Sequence, residues 1–252
     1  MDRLSRHTLI KRVQTGLPHG EPFGLPELER LGVTRQDAAY YAKEGWLKRI
    51  GHGVYAFPND ELTTPGMVRF LRSRVEGLHV GGRSALALQG VRHNLDSSRK
   101  LVLWGDTRHA LPKWFTSRQP ARYVSAALFE WSDPVLVSKT LATPPGVTDG
   151  LLVSTPERAA LEMLYDVGTK ESLEETRNVF EGLRNLRKDV AGSLLACCTS
   201  VKAVRLFLTW GRETGLVDVD LLRDRYPLRV GSSARWMHRL DDGTLLALKP
   251  YG

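Results

Sequence analysis

The chain has little cysteine, and its two cysteines are neighbours. Among 252 residues, only Cys197 and Cys198 carry thiols, and adjacent cysteines rarely bridge each other. Neither a second cysteine pair nor a histidine cluster at ligand spacing accompanies them, which disfavours a disulfide framework and a structural zinc site. We therefore expect both to be small buried residues without a redox or metal role.

Long hydrophobic runs are also missing. The sequence contains no stretch near the roughly 18 consecutive apolar residues of a membrane span, and the N-terminal segment has charges spread along it where a signal peptide has an apolar core. The composition, with 42% hydrophobic and 25% charged residues, is typical of a globular protein. We expect a cytoplasmic protein that has no membrane partner.

The signatures of several enzyme classes are absent. The sequence has no glycine-rich phosphate loop, no His-Glu-x-x-His and no Gly-x-Ser-x-Gly. A restriction-type nuclease places an acidic residue two positions before a catalytic lysine to hold Mg²⁺, and no lysine here has one. Gly231-Ser232 followed by Asp241-Asp242 superficially resembles a nucleotidyltransferase motif, but a hairpin turn at Gly243 explains these carboxylates better. We expect no enzyme activity, no cofactor and no metal.

Positive charge is concentrated in one part of the chain. The net charge is +8, and residues 61–126 carry +7, against +2 for residues 1–60, −4 for residues 127–187 and +3 for residues 188–252. A basic region attracts phosphate through counterion release, although a solvated surface gives the same count. We predict polyanion binding, with residues 61–126 as a second contact surface. Their basic residues are Arg69, Arg72, Arg74, Arg83, Arg92, Arg99, Lys100, Arg108, Lys113, Arg118 and Arg122.

Residues 1–60 predict a winged helix-turn-helix domain. Apolar periodicity and capping signals indicate helices over Asp2–Gln14, "LPELERLGV" and "TRQDAAYYAKEG", with "LPHGEPFG" as a loop. The period then becomes alternating in "WLKRI" and "VYAFP", two strand-like runs around Gly51-His52-Gly53, whose glycines are expected to supply the positive φ angles of a tight hairpin turn. Helix, helix, turn, helix and hairpin is the order of elements in that fold.

Residues 61–252 predict a second domain that mixes strands and helices and has a helical second half. Strands are expected at "KLVLWGD", "ARYVSAALF", "DPVLVSKTLAT" and "GLLVS", and a closing hairpin at "RWMHRL" and "TLLALKP". Helices are expected in residues 154–225, where Ser154 with Glu157 and Ser172 with Glu175 have capping-box spacing and Ser200 can cap a third helix. The predicted fold class is α+β.

The helix that starts after Thr34 is the candidate recognition helix, because the second helix of a helix-turn-helix lies in the major groove. One face, with Ala38, Tyr41 and Ala42, can pack on the preceding helix at Leu28 and Leu31. The opposite face is polar and can meet base edges and phosphates. A polar face that is merely solvated is the alternative, and the preceding turn and following hairpin disfavour it.

The candidate contacts follow from side-chain chemistry. Arg35 can pair bidentately with guanine and Gln36 with adenine, and Tyr40 can touch a phosphate or a thymine methyl. In the hairpin, Leu47, Ile50, Val54 and Phe57 are expected to face the core, and Trp46 and Tyr55 to pack. The predicted DNA-binding residues are Thr34, Arg35, Gln36, Tyr40 and Lys43 on the helix, and Lys48, Arg49 and His52 on the hairpin.

The run "LGVTRQDAAYYAKEGWLKRIGHGVYAFP" resembles the N-terminal domain of the AbiEi family, the antitoxins of type IV toxin-antitoxin systems. It differs from the family's usual run at three positions: Thr34 stands for Ser, Ile50 for Leu and His52 for Arg. The histidine would make a weaker, pH-sensitive contact at the tip of the wing. "HVGGRSALALQGV" and "LVSTPERAALEMLYDV" resemble the family's C-terminal domain less sharply.

The resemblance implies a repressor that binds DNA repeats upstream of its own operon, and a C-terminal domain that opposes a toxin resembling a nucleotidyltransferase, without necessarily forming a stable complex. Two alternatives remain open from the residues alone. One is a stand-alone winged-helix regulator, which the absence of a nucleotidyltransferase-like neighbouring gene would favour. The other is a winged-helix-fused metal-dependent nuclease, which Mg²⁺-dependent DNA cleavage would reveal.

Overall fold

The computed structural model describes residues 6–91, 100–146, 150–184, 186–232, 234–239, 243 and 245–248. Helices and strands are mixed, and helices dominate after residue 155, which confirms the predicted α+β class. Residues 2–5 of the predicted first helix and the Asp241-Asp242 turn lie outside the described residues.

Residues 6–60 contain three helices and three short strands. In chain order they are α1 (Arg6–Gly16), β1 (Phe23–Gly24), α2 (Leu25–Arg30), α3 (Arg35–Lys43), β2 (Lys48–Gly51) and β3 (Val54–Ala56). The strands make one antiparallel sheet in the order β1-β3-β2. This is the predicted order of elements with one addition, because β1 lies in the segment expected to be a loop. Its two residues are too few for a periodic signal, and it exists through pairing of Phe23 with Tyr55.

The C-terminal part contains a mixed five-stranded sheet in the order β6-β5-β4-β8-β7. The pairs β5/β6 and β4/β8 are parallel, and the others are antiparallel. A separate antiparallel hairpin closes the chain. The elements are α4 (Thr64–Arg72), β4 (His79–Val80), α5 (Gly82–Leu88), β5 (Leu101–Trp104), α6 (Lys113–Thr116), β6 (Ala121–Val124), α7 (Pro134–Lys139), β7 (Leu141–Ala142), β8 (Val153–Ser154), α8 (Pro156–Tyr165), α9 (Leu173–Glu181), α10 (Lys188–Cys197), α11 (Val201–Glu213), α12 (Val219–Arg225), β9 (Trp236–Arg239) and β10 (Leu245–Leu248).

The buried apolar side chains form two clusters. The N-terminal core contains buried residues between Leu9 and Phe57, and the C-terminal core contains those between Met67 and Leu248. The division is not complete, because Ile50 and Val54 of the hairpin are half-buried against the C-terminal core. The hairpin therefore packs on both parts of the molecule.

The predicted strand at "DPVLVSKTLAT" is wrong over most of its length, because residues 134–139 form α7. Asp133 caps this helix by accepting a hydrogen bond from the amide of Val135 at 2.8 Å, and Pro134 occupies the first turn. A capping aspartate followed by proline is a helix start signal that outweighs the strand preference of the valines. Only Leu141–Ala142 forms a strand.

The capping prediction at Ser154 is also wrong, whereas those at Ser172 and Ser200 are confirmed. Thr155 is the residue before α8, and it makes no side-chain capping bond. Ser172 and Ser200 each accept a hydrogen bond at 3.2 Å from the amide three residues on. Ser154 and Glu157 have other partners, which tertiary packing supplies: Ser154 bonds Glu162, and Glu157 accepts from Arg187.

Candidate nucleic-acid interface

A capping box fixes the start of α3. The amide of Asp37 donates to Oγ1 of Thr34 at 3.1 Å, and the Thr34 hydroxyl donates to Oδ2 of Asp37 at 2.7 Å. Gly45, just after the helix, has a φ of 79°, which ends the helical path without a Cβ penalty. The helix that would enter a groove thus begins and ends where the sequence predicts.

The inward face of α3 packs as predicted. Ala38 and Tyr41 are 0% and 1% exposed, and Leu28 of α2 is fully buried in the same cluster. The Tyr41 hydroxyl also donates to the backbone oxygen of Arg6 at 2.7 Å. This bond ties the start of α1 to the last turn of α3.

All eight predicted DNA-binding side chains are exposed. Thr34 through Lys43 place five of them along one helix, and the β2–β3 hairpin carries the other three. Side chains that contact base edges and phosphates must be exposed on the face opposite Ala38 and Tyr41. We call the surface formed by these eight residues the predicted reading surface. Their contacts with DNA remain a prediction.

Arg6 joins this surface and is a residue that sequence reasoning missed. Its guanidinium carbon lies 4.3 Å from the centroid of the Tyr40 ring, and its Nε lies 3.7 Å from Oδ1 of Asp37. The side chain is 61% exposed. Its position relative to α3 depends on the packing of α1, which no local sequence signal gives.

The tip of the hairpin has two glycines with different roles. Gly53 has a φ of 65°, the left-handed conformation expected for a tight turn. Gly51 does not have a positive φ, contrary to the prediction; a Cβ on it would lie 2.7 Å from Cδ1 of Trp114 in α6. Gly51 is therefore required by the close approach of the indole from the C-terminal part.

The hairpin residues expected to be internal divide into three groups. Leu47, Tyr55 and Phe57 are buried in the N-terminal core, as predicted. Ile50 and Val54 are half-buried against the C-terminal core. Trp46 is 49% exposed, so its predicted packing role is wrong. Because it directly follows Gly45 at the end of α3, its indole adds an aromatic group near the predicted contacts.

Two ion pairs link the N-terminal part to α4. Arg69 pairs with Glu21, and Arg74, just after α4, pairs with Glu27 of α2 at 2.6 Å. Burial raises the pKa of Glu27, but the Gly24 amide and the Arg74 charge outweigh it and lower the pKa below its usual value. Helix α2 is thus joined to the C-terminal part.

These pairings reduce the charge that residues 61–126 can offer to DNA. Among the nine of their basic residues that the structure describes, four face carboxylates: Arg69 and Arg74 as above, Arg83 with Glu171 at 2.9 Å, and Arg122 with Asp166 at 2.6 Å. Arg92 and Arg99 lie outside the described residues. The exposed basic residues that the structure describes in this region include Arg72, Lys100, Arg108, Lys113 and Arg118.

The two segments that resemble the family's C-terminal domain meet at Glu162, which is 0% exposed. Its Oε1 accepts from Nε of Arg158 at 2.8 Å and faces Nε2 of His79 at 3.0 Å. Its Oε2 accepts from the Ser154 hydroxyl and the Gly82 amide, both at 2.8 Å. Both sequence segments thus supply partners of one buried carboxylate.

Glu162 is ionised despite its burial. Desolvation raises the pKa of its carboxyl, but Arg158, His79 and the hydrogen bonds lower it to about 2. Nδ1 of His79 lies 2.6 Å from the backbone oxygen of Gly77, so both ring nitrogens face oxygen atoms. The cluster joins α5, through the Gly82 amide, to Glu162 and Arg158 of α8.

The cysteines lie at the end of α10 without a bond between them. Burial raises the pKa of the Cys198 thiol to about 12 and that of Cys197 above its usual value. Within the part of the chain that the structure describes, no group of three or more His, Cys, Asp or Glu is arranged to hold a metal ion. The described helices include none that is both long and apolar enough to cross a membrane.

Two models of one protein family together match residues 6–248 of the chain. Residues 6–97 match the family model described as "Transcriptional regulator, AbiEi antitoxin N-terminal domain", and residues 98–248 match "Transcriptional regulator, AbiEi antitoxin, Type IV TA system". The crystal structure of the RV2827C protein from Mycobacterium tuberculosis is similar in fold, with a TM-score of 0.54 and 16% identity over 94% of this chain and 90% of that chain. No curated protein matches the sequence.

Proposed function

Because the chain belongs to the AbiEi antitoxin family of type IV toxin-antitoxin systems, we propose that it represses its own operon by binding DNA repeats upstream of it. We propose further that it opposes a nucleotidyltransferase-like toxin. Family membership supports the transcriptional regulator and antitoxin role. Family membership does not specify the operator or the kind of toxin, and we propose both.

The exposed face of α3 carries the DNA-binding part of the proposal. Its inward side is sealed by Ala38 and Tyr41, which are buried, while Arg35 and Gln36 are exposed in the first turn. Recognition helices commonly read base edges from their first turns, and arginine and glutamine are the side chains that pair bidentately with guanine and adenine. We assign sequence reading to these two residues.

Lys43 and the hairpin residues Lys48, Arg49 and His52 have a different role in this proposal. Cationic side chains around a reading helix contact phosphates, which sets the orientation of the protein and adds affinity for any sequence. Thr34 shapes the helix start through its capping box, and its position beside the first free amides suits a phosphate.

The DNA-binding proposal is tested by titrating the full chain against the native upstream duplex and a scrambled duplex of equal length, each at two salt concentrations. We expect specific binding to be tighter by at least roughly a thousandfold at physiological salt. Equal affinity for both duplexes would refute a specific repressor. A reporter fused to the upstream region then tests repression.

The antitoxin proposal is tested separately by co-expression. The neighbouring reading frame is expressed with and without this chain, and growth is measured. We expect toxicity from a nucleotidyltransferase-like product, relieved by this chain even when no stable complex is isolated. A neighbouring gene of another kind, together with specific DNA binding, would favour a stand-alone regulator. Mg²⁺-dependent cleavage of the duplex by the purified chain would favour a nuclease.

A further inference from the structure

We propose that Arg6 is an additional DNA-contacting residue, which α3 holds in position to bind a backbone phosphate beside the bases it reads. The inference rests on the proposed DNA-binding function and adds a contact from α1, outside the helix-turn-helix and hairpin. Three contacts of Arg6 with consecutive or nearby residues of α3 carry it.

Neighbouring residues of α3 hold both the side chain and the main chain of Arg6. Tyr40 lies under the guanidinium, with 4.3 Å between the guanidinium carbon and the ring centroid. Tyr41 binds the Arg6 backbone oxygen through its hydroxyl at 2.7 Å. The two tyrosine rings contact each other edge-on, with centroids 5.8 Å apart. An arginine held at both ends loses less conformational entropy when a ligand binds it.

The guanidinium retains groups that can bind phosphate. Its ion pair with Asp37 is closest at Nε, 3.7 Å from Oδ1, at the chain side of the guanidinium. The two terminal amino groups, whose parallel hydrogen bonds recognise phosphate, lie at the other end. The side chain is 61% exposed, and Tyr40 beneath it is 37% exposed on the surface that carries the predicted contacts.

A role limited to the protein itself is the competing explanation. Asp37 is 4% exposed and places a carboxylate in the first turn of α3, where a DNA phosphate would approach. Arg6 offsets that charge by its proximity. If this were its whole function, removing the charge of Asp37 would make Arg6 unnecessary for binding. The two explanations therefore predict different results when both residues are changed.

The first experiment compares salt dependence in the full chain. Arg6→Gln should weaken binding to the native and scrambled duplexes alike, roughly three- to tenfold, and lower the slope of log affinity against log salt by about one. Arg6→Lys should keep the slope. The matched control is Arg177→Gln, since Arg177 is another exposed arginine over a ring, 6.0 Å from the centroid of Trp210, on α9. Its slope should equal that of the wild type.

The second experiment repeats Arg6→Gln in an Asp37→Asn background, where the asparagine oxygen can still accept the capping bonds. If Arg6→Gln lowers the salt slope by about one in both backgrounds, the phosphate contact is supported. If it lowers the slope only where Asp37 is present, the phosphate contact is wrong. Thermal melting checks folding, and Arg6→Ala serves as a second variant that keeps helix propensity. If the wild type binds DNA and Arg6→Gln has the same salt slope as the wild type, this inference alone is wrong. If the wild type binds neither duplex, both this inference and the proposed function are wrong.

Discussion

Gly51 in the hairpin and Trp114 in α6 lie in direct contact, so close that a Cβ on the glycine would approach the indole to 2.7 Å. The contact joins an element of the predicted reading surface to the C-terminal core. We expect Gly51→Ala to displace the hairpin and lower the free energy of unfolding by about 1 to 3 kcal/mol, because extra atoms in a packed contact cause strain. Urea unfolding measures this change.

The double variant Gly51→Ala with Trp114→Leu is the control. The leucine removes the clash, so the two changes should cost less together than the sum of their separate effects. Additive costs would mean that the indole is not what makes a side chain at position 51 unfavourable. The same proteins, titrated with the operator duplex, show whether the displaced hairpin also weakens binding.

Arg35 and Gln36 should govern sequence preference. We expect Arg35→Ala or Gln36→Ala to cost about 1 to 3 kcal/mol of discrimination between the native and scrambled duplexes, because each removes a bidentate base contact. Lys48→Ala is the comparison variant, and it should weaken both duplexes equally and lower the salt slope. Gel-shift or anisotropy titrations measure both quantities. Equal losses on both duplexes for Arg35→Ala would remove the base-reading role.

Lys113 should extend the phosphate-contacting surface beyond the hairpin. It is exposed and adjoins Trp114, whose ring lies against Gly51. We expect Lys113→Gln to lower the salt slope by about one while leaving sequence preference unchanged. Lys170→Gln, at an exposed lysine in the acidic part of the chain, is the matched control. A slope equal to the wild type in both variants would restrict DNA binding to the N-terminal part.

Glu162 should make stability sensitive to acid. Its pKa is about 2 in the folded protein and about 4.3 in an unfolded chain. Its ionised form therefore contributes stability above about pH 5, and this contribution of about 3 kcal/mol is lost as the pH falls through 4 toward 2. Urea unfolding between pH 2 and 7 should show the decline.

Glu162→Gln tests the same point by removing the charge. We expect a loss of about 3 to 5 kcal/mol at pH 7, since the Arg158 guanidinium would remain buried without its counter-charge, and a flatter pH dependence. Glu174→Gln, at an exposed position on α9, should change stability by less than about 0.5 kcal/mol. A Glu162 variant as stable and as acid-sensitive as the wild type would contradict the role of this cluster.

The features that could be predicted from the sequence are those set by neighbours in the chain. The capping box at Thr34 and the stop at Gly45 define α3 because the bonds and angles involved span only a few residues. The apolar spacing of Ala38 and Tyr41 likewise gave the buried face correctly. The sequence around α3 also indicates the family for this reason, because the residues that resemble the family's N-terminal domain form one continuous segment.

The features that could not be predicted depend on distant parts of the chain. Arg6 reaches α3 only after α1 has packed, and the 49% exposure of Trp46 depends on which surfaces of the folded chain come near it. The ion pairs of Arg69 and Arg74 lower the free charge of a region whose composition alone indicated a strongly basic surface. Charge counts along a sequence do not show which residues neutralise one another.

The half-buried positions of Ile50 and Val54 have a consequence for protein engineering. Residues 1–60 contain every helix and strand of the predicted reading surface, and such a segment would ordinarily be fused to another protein as an independent DNA-binding domain. Transplanted alone, the hairpin would expose these two aliphatic side chains to water and lose the indole that supports its tip. A chimera that also includes α6 would retain the indole of Trp114 beside Gly51.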